Sequence, residues 1–255
     1  AVVVLSGDVP LIDVPTLEGL IRGHIEHGRS MTLLSARFDN PTGLGRILRD
    51  TEGAVRGIVE EKDADEAQRR ITEINGGIYV FARRALEQAL AGISTDNAQG
   101  EKYLTDAAAR ILAAGGLVEA VTTDDPWVIA GVNDRAQLAE AGRELNRRIV
   151  IAHQRAGVTV QDPATTWIDA DVSIEADVEI LPGTYLQGAT SIAAGAVIGP
   201  DTTLVDCEVG EGASIRRSEA TLAVFAAGGP VGPHSSIPPG AQLGRGGERG
   251  PVVEG

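Results

Sequence analysis

Residues 172–205 read VSIEADVEILPGTYLQGATSIAAGAVIGPDTTLV, and the spacing within this stretch decides the fold of the C-terminal part of the chain. Ile174, Ile180, Leu186, Ile192, Ile198 and Leu204 recur at every sixth position. Val172, Val178, Thr184, Thr190, Ala196 and Thr202 keep step two places earlier, and Ala176, Pro182, Gly188, Ala194 and Pro200 follow each aliphatic by two. Neither the helical nor the ordinary strand period repeats at six. A triangular parallel β-helix does, because each hexad forms one flat side with its aliphatic residue inward and small residues at the corner. Three hexads make a coil, so these six predict two. The phase slips at Val209 and Ile215, blurs from Ala220 to Gly229, and returns at Val231, Ile237 and Leu243. The tail from Gly244 to Gly255 is Gly-rich and carries no closing cap, so a β-helix cut short at its C-terminal side is expected.

Working outward, residues 136–155 place Leu138, Leu145, Ile149 and Ala152 on one face of a proline-free, Arg- and Glu-rich segment. At ~1.5 Å per residue this is a helix about 30 Å long, read as a rigid connector, the alternative being one more surface helix of the first domain. Before it, from Ala1 to about Val132, strand and helix patterns alternate. Ala1–Leu5 (AVVVL) reads as a buried parallel strand, and a helix capped by Asp13 follows with Leu17, Leu20, Ile21 and Ile25 on one face. Met31–Ala36 is a second strand, and Arg46–Arg49 and Val55–Glu60 flank an Asp50–Gly53 turn as a hairpin. A strand over Ile74–Phe81, helices through Leu86 and Leu90 and over Tyr103–Ala114, and a strand over Leu117–Val121 complete an α/β sandwich around a mostly parallel sheet. The expected domains are 1–135, a connector over 136–156, and a β-helix over 157–255. A core strand at the first residue, with no charged leader before it, predicts that part of a longer protein precedes Ala1.

The chain has 255 residues with 22 Lys+Arg against 36 Asp+Glu, a net charge of −14, and 3% aromatics. That acidic balance opposes broad binding to nucleic acid, because a phosphate backbone meets repulsion over most of the surface. No apolar run reaches the roughly 18–20 residues that cross a bilayer. Cys207 alone forms no internal disulfide, which fits a cytoplasmic location. The four histidines and one cysteine show no zinc spacing.

Several short stretches can carry chemistry, each with a plainer alternative. Ser6-Gly7-Asp8-Val9-Pro10 sits at the carboxyl end of the first strand, where open α/β sheets bind ligands; Asp8 either ligates a divalent metal or caps a turn. Pro41-Thr42-Gly43-Leu44-Gly45-Arg46-Ile47 offers glycines for close approach to a ligand, or simply for a turn. Glu60-Glu61-Lys62-Asp63 is on its own a solvated charge run. Asn75 bonds a sugar hydroxyl or caps a turn, and Gly131-Val132-Asn133-Asp134 returns an oxygen ligand to a metal or turns into the long helix.

Taken together, LSGDVPLI, NPTGLGRI, GIVEEKDA, QRRITEINGGIYVF, NAQGEKYLTD, GVNDRAQLAE and DPATTWID, in that order and followed by hexapeptide repeats, resemble a known family. It is the bacterial bifunctional N-acetylglucosamine-1-phosphate uridylyltransferase/glucosamine-1-phosphate acetyltransferase family, and the likeness runs over about residues 1–218. The resemblance implies a Rossmann-like nucleotidyltransferase domain, a connector helix and a left-handed parallel β-helix, the first and last incomplete. It implies UTP and sugar 1-phosphates as substrates, Asp8 and Asn133 as Mg²⁺ ligands, Gly45, Glu60 and Asn75 as sugar contacts, and Gly7 against the nucleotide sugar, UDP-N-acetylglucosamine. Tyr103 and Thr105 become further sugar contacts, while Lys62 receives no role. The family's Gly-rich triphosphate loop would precede Ala1. Its catalytic histidine and acetyl-CoA contacts would follow Gly255, with Pro238 standing where an arginine is expected and His234 in a different coil. The chain alone is therefore expected to complete neither transfer, to carry no catalytic residue of its own, and to represent part of a homotrimeric parent serving cell-wall precursor synthesis. The rival readings are another sugar-1-phosphate nucleotidyltransferase and a non-catalytic short form that binds nucleotide sugar or regulates the intact enzyme.

Overall fold

A computed structural model describes residues 1–244, and they divide into two compact units between Ala141 and Gly142. The expectation for the tail beyond Gly244 lies outside the described residues. The first unit holds strands β1 (Val2–Val4), β2 (Met31–Arg37), β3 (Arg46–Arg49), β4 (Val55–Val59), β5 (Glu73–Phe81) and β6 (Val118–Thr123). Its helices are α1 (Val14–Glu26), α2 (Glu66–Arg69), α3 (Arg83–Leu90) and α4 (Asp106–Ala113), with a 3-10 turn at Pro126–Ile129. A long helix, α5 (Arg135–Arg155), carries the division between the units.

The sheet runs β4-β3-β5-β2-β6, with β1 also paired to β5. It is mixed, which corrects the expected mostly parallel sheet. Only β2 and β6 pair in parallel, whereas β1–β5, β2–β5, β3–β4 and β3–β5 are antiparallel. The cause lies in the connections. The excursion from Phe38 to Thr72 leaves and re-enters at the same end of the sheet, so Arg37 faces Glu73 and Met31 faces Phe81. β5 therefore runs back between β1 and β2. For the same reason Ala1–Leu5 is not a buried parallel strand: β1 pairs antiparallel with β5 and is half exposed, with Val3 and Leu5 facing solvent.

Both faces of the sheet are covered, which is why its central strands read as continuous apolar runs. Met31, Leu33, Tyr79 and Phe81 pack with α3 and α4, while Leu34, Ala36, Ile78 and Val80 pack with α1 and the 3-10 turn. Asp13 caps α1 by accepting from Thr16 N–H at 2.7 Å. Leu20 is buried, but Ile25 faces solvent, contrary to the expected apolar face. His24 is buried in its place, its Nδ1 3.0 Å from Thr32 Oγ1. The hydroxyl lets a polar ring enter the core.

In the second unit the inward residues stack in three registers. Ile174, Ile192, Val209, Phe225 and Leu243 align on one side. Val160, Ile180, Ile198, Ile215 and Val231 align on the second. Ile168, Leu186, Leu204, Ala220 and Ile237 align on the third. Three sheets of five parallel strands give about five turns of a left-handed-type hexapeptide β-helix, where the repeat had predicted two. The apparent blurring is a shortened side. Leu204 to Val209, Ile215 to Ala220 and Ala220 to Phe225 each span five residues, and the ladder stays in register across them.

The second periodic row is also inward. Val172, Val178, Thr184, Thr190, Ala196 and Thr202 are all buried, and the row continues through Cys207, Ala213, Ser218 and Ala223 with the same slips. Its hydroxyls satisfy corner carbonyls: Thr184 Oγ1 donates to Leu181 C=O and Thr190 Oγ1 to Gln187 C=O, both at 2.7 Å. A small polar residue is favoured there because a buried carbonyl must find a donor.

The expected face of α5 is not the buried one. Leu138, Leu145 and Ala152 face solvent and Ile149 is half-buried, whereas Glu144, Asn146 and Val150 are buried. Val150 joins the β-helix core, and the Asn146 amide donates to Thr166 C=O at 2.8 Å and accepts from Ile168 N–H at 2.9 Å. Polar pairing to the first coil sets the helix's rotation.

Glu144 lies 2.7 Å from both Arg147 Nε and Arg148 Nε. The Arg147 hydrogen bond, opposed by burial and reinforced by Arg148, pulls its carboxyl down to about 2. The folded value is below the unfolded one, so this stabilisation is complete above about pH 4.3 and fades as pH falls towards 2. Glu144→Gln is expected to cost about 1 kcal/mol at pH 7, the arginines being partly exposed, and to cost little once the pH falls below about 2. Thermal unfolding across that range checks both.

Candidate functional site

The antiparallel register around β3 gathers residues that lie far apart in sequence. Arg46 pairs with Val59 on one side and with Ile74 on the other. One step further along, Gly45 falls between Glu60 and Asn75, and Asn75 N–H donates to Gly45 C=O at 2.8 Å. Three candidate sugar residues thus share one rung across three chain segments. A Cβ added at Gly45 would sit 3.2 Å from Glu60 Oε2, so any larger residue would push into that carboxylate. Glu60 Oε1 accepts from Thr105 Oγ1 at 2.9 Å, which brings Thr105 to the same place from the start of α4. Asn75 Nδ2 donates to the Tyr79 hydroxyl at 2.7 Å. Burial first, with the Glu60 carboxylate adding to it, pushes the Tyr79 phenol up to about 12, so it remains a neutral hydroxyl. Burial likewise raises the Tyr103 phenol, with the Asp63 and Glu60 carboxylates acting in the same direction.

The second cluster forms at the carboxyl end of β1. Val132 N–H donates to Asp8 C=O at 2.8 Å, holding the Gly131–Asn133 segment against the Ser6–Asp8 turn. The position a Gly131 Cβ would take is 3.5 Å from Asp8 Oδ2 and 4.0 Å from Asn133 Nδ2. Asp8 and Asn133, 125 positions apart, therefore converge on one glycine. Both are exposed, and neither side chain has a hydrogen-bond or ion-pair partner among the described residues. Among those residues no group of three or more His, Cys, Asp or Glu gathers as a metal cage.

Ser6 joins the two clusters. Its Oγ donates to Gly77 C=O at 3.0 Å, two residues from Asn75. Gly77 has φ +69°, and its missing Cβ leaves the space that Ser6 Oγ occupies. Gly76 packs so closely that a Cβ would lie 2.6 Å from Ile129 Cγ2. Gly7 has open space around it. A cleft of about 520 Å³ beside Asn133 is lined by Phe38, Leu44, Trp127, Ile129 and Val132. Lys62 donates to Gln99 Oε1 at 2.9 Å and is bound to that neighbour instead.

Tyr79 received no role from the sequence, and Ser6 none beyond its place in the Ser6–Pro10 stretch. Tyr79 had a readable signal, since it lies four places from Asn75 and shares its strand face. Ser6 had none, because its partner is a backbone carbonyl 71 residues away.

The chain is 55% identical over 253 residues to the "Bifunctional protein GlmU" of Clavibacter sepedonicus, covering 99% of this chain and 51% of that protein. It is 54% identical to the protein of the same name from Mycolicibacterium gilvum, covering 51% of it, and 51% identical over 261 residues to that of Cutibacterium acnes, covering 62%. The chain thus spans about half the length of the first of these relatives. The family model described as "Nucleotidyl transferase" matches residues 1–169, which take in both clusters and the start of the β-helix, and the chain belongs to that family.

Proposed function

We propose that this chain carries the sugar- and metal-holding part of a uridylyltransfer site, at which UTP and N-acetylglucosamine 1-phosphate give UDP-N-acetylglucosamine and pyrophosphate. The observation that carries the reading is the pair of clusters, the Gly45–Glu60–Asn75 rung and the Asp8–Asn133 convergence, linked through the Ser6–Gly77 hydrogen bond. Glu60 offers a carboxylate oxygen to sugar hydroxyls, Asn75 an amide held by Tyr79, and Gly45 the space for a ring to approach. Gly7 leaves the first turn open to the phosphates. An uncommitted carboxylate and an uncommitted amide suit Mg²⁺, which takes few protein ligands and completes its shell with water and phosphate oxygens. Bound there, Mg²⁺ would neutralise phosphate charge while the sugar phosphate oxygen attacks the α-phosphorus. The chain's own contribution is positioning, which removes the entropy of bringing two anions together.

The relatives' printed name, together with the hexapeptide β-helix, supports a second activity for the protein to which this chain corresponds. That activity is acetyl transfer from acetyl-CoA to glucosamine 1-phosphate, in a homotrimer. A cytoplasmic setting follows from these substrates, and no helix among the described residues is long and apolar enough to cross a membrane.

Calorimetric titration of the chain in Mg²⁺ tests the proposal. UDP-N-acetylglucosamine should bind more tightly than UDP-glucose, and preference for the 2-hydroxy sugar would overturn it. Removing Mg²⁺ should weaken binding about tenfold, a loss of roughly 1.4 kcal/mol. Asp8→Ala should abolish that Mg²⁺ dependence; a variant that still responds to the metal would exclude Asp8 as a ligand.

A further inference from the structure

Arg46 follows Gly45 and is buried at 1% exposure, the largest side chain so enclosed in the first unit. Its Nη2 donates to Glu61 Oε2 at 2.6 Å and to Arg69 C=O at 3.4 Å, and its Nη1 donates to Leu44 C=O. The Arg46 hydrogen bond holds the Glu61 carboxyl below the usual carboxylate range against opposing burial, with Gly43 N–H and Arg69 adding to the effect. One guanidinium therefore ties the loop before β3, the corner after β4 and the end of α2. Its backbone also stands in register with Val59 and Ile74, the neighbours of Glu60 and Asn75.

Stability does not account for this choice of residue. Arg46 Nε is buried without a hydrogen-bond partner, and an unfilled buried donor works against the fold. An unbranched apolar side chain of similar length would occupy the same space without that defect. What only an arginine supplies is a fork that reaches the Glu61 carboxylate and two carbonyls at once.

We infer that Arg46 is a positioning residue of the sugar site: from the rung below, it locks the Gly43–Gly45 loop to the Glu60–Glu61 corner and so sets the close approach of Gly45 to Glu60. This rests on the function proposed above. Arg46 touches no ligand and acts through Gly45 and Glu60, where a displacement of about 1 Å is enough to lose much of the binding.

The test compares affinity for UDP-N-acetylglucosamine with affinity for UDP, measured by calorimetry on the full chain. Arg46→Met should lower the ratio of the two affinities at least about tenfold while the chain stays folded. Arg46→Lys keeps the Glu61 pair but loses the fork, and should lower the ratio about threefold. An unchanged ratio, or equal weakening of both ligands, would overturn the inference by reducing Arg46 to a structural role. Should Arg46→Met fail to fold, Arg46→Lys decides by the same ratio. A wild-type chain that binds UDP-N-acetylglucosamine no better than UDP overturns the proposed function itself, and that failure is seen without any variant.

Discussion

Glu60→Ala is expected to weaken UDP-N-acetylglucosamine binding roughly 30- to 100-fold while leaving UDP binding within about twofold, a loss of about 2–3 kcal/mol confined to the sugar. Hydrogen bonds to a charged acceptor are the stronger kind, and Glu60 is half-buried where solvent competes less with a bound hydroxyl. One of its oxygens already accepts from Thr105, which fixes the carboxylate before any ligand arrives. Truncation removes the acceptor and also leaves the buried Thr105 hydroxyl without its partner. Thr105→Val should reproduce a small part of the loss, because the carboxylate remains but is held less firmly. Titrating both variants with both ligands checks the pattern. Equal weakening of UDP would mean that Glu60 supports the fold instead of the sugar.

Glu73→Gln should destabilise the first unit by about 1–2 kcal/mol, although Glu73 lies outside both clusters. Glu73 opens β5 at 7% exposure. Arg49 grips it with two bonds, Nε to Oε2 at 2.7 Å and Nη2 to Oε1 at 2.6 Å, and Ser35 Oγ donates at 2.8 Å. The same guanidinium reaches Gly53 C=O at 2.8 Å and Ala120 C=O at 3.1 Å, so one ion pair links the hairpin, β5 and β6. Burial alone would raise the Glu73 carboxyl, but the Arg49 and Ser35 hydrogen bonds and the Arg49 charge together hold it below the usual range. Glutamine would turn an amide N–H₂ or a neutral oxygen towards Arg49 and leave that partly exposed cation without its counter-charge. Because the folded carboxyl titrates lower than the unfolded one, the wild-type advantage is full above about pH 4.3 and shrinks as pH falls through the folded value. Amide hydrogen exchange along β5 measures the loss at pH 7. Protection equal to wild type would contradict the assignment.

The two halves of the chain were legible to different degrees, for physical reasons. The β-helix announces itself because each side buries two residues in six, and the sequence must repeat to fill it. Its length was underestimated because a side can lose one residue at a corner without disturbing the inward stack, as at Leu204 to Val209. The sheet's elements were readable from their apolar runs, but strand direction was not. Ala1–Leu5 has the same β-branched composition whether its neighbour runs parallel or antiparallel, and only the re-entry of the chain at Glu73 decides. Ile25 and Leu145 show the corresponding limit for helices: both fit the apolar period, yet His24 and Asn146 are buried because each finds a hydrogen-bond partner.

The candidate site was legible through resemblance and scarcely at all through spacing. Asp8, Asn75 and Asn133 each had a turn-capping alternative, and no local feature separated the two readings. Tertiary register supplies what spacing lacks: it places Asn75 beside Gly45 and Glu60, and Asp8 beside Asn133. Arg46 was invisible as a contributor, since a basic residue opening an amphipathic strand is ordinary, and its burial emerges only when the hairpin, α2 and β5 close around it.

The central claim is that the Gly45–Glu60–Asn75 rung and the Asp8–Asn133 pair form one nucleotide-sugar site. The most direct measurement is a backbone amide NMR titration of the chain with UDP-N-acetylglucosamine in the presence of Mg²⁺. The account predicts saturable shifts, with one common affinity, at Gly7, Asp8, Gly45, Glu60, Asn75 and Asn133, and none along the β-helix. Shifts confined to other surfaces, or different affinities for the two clusters, would contradict it.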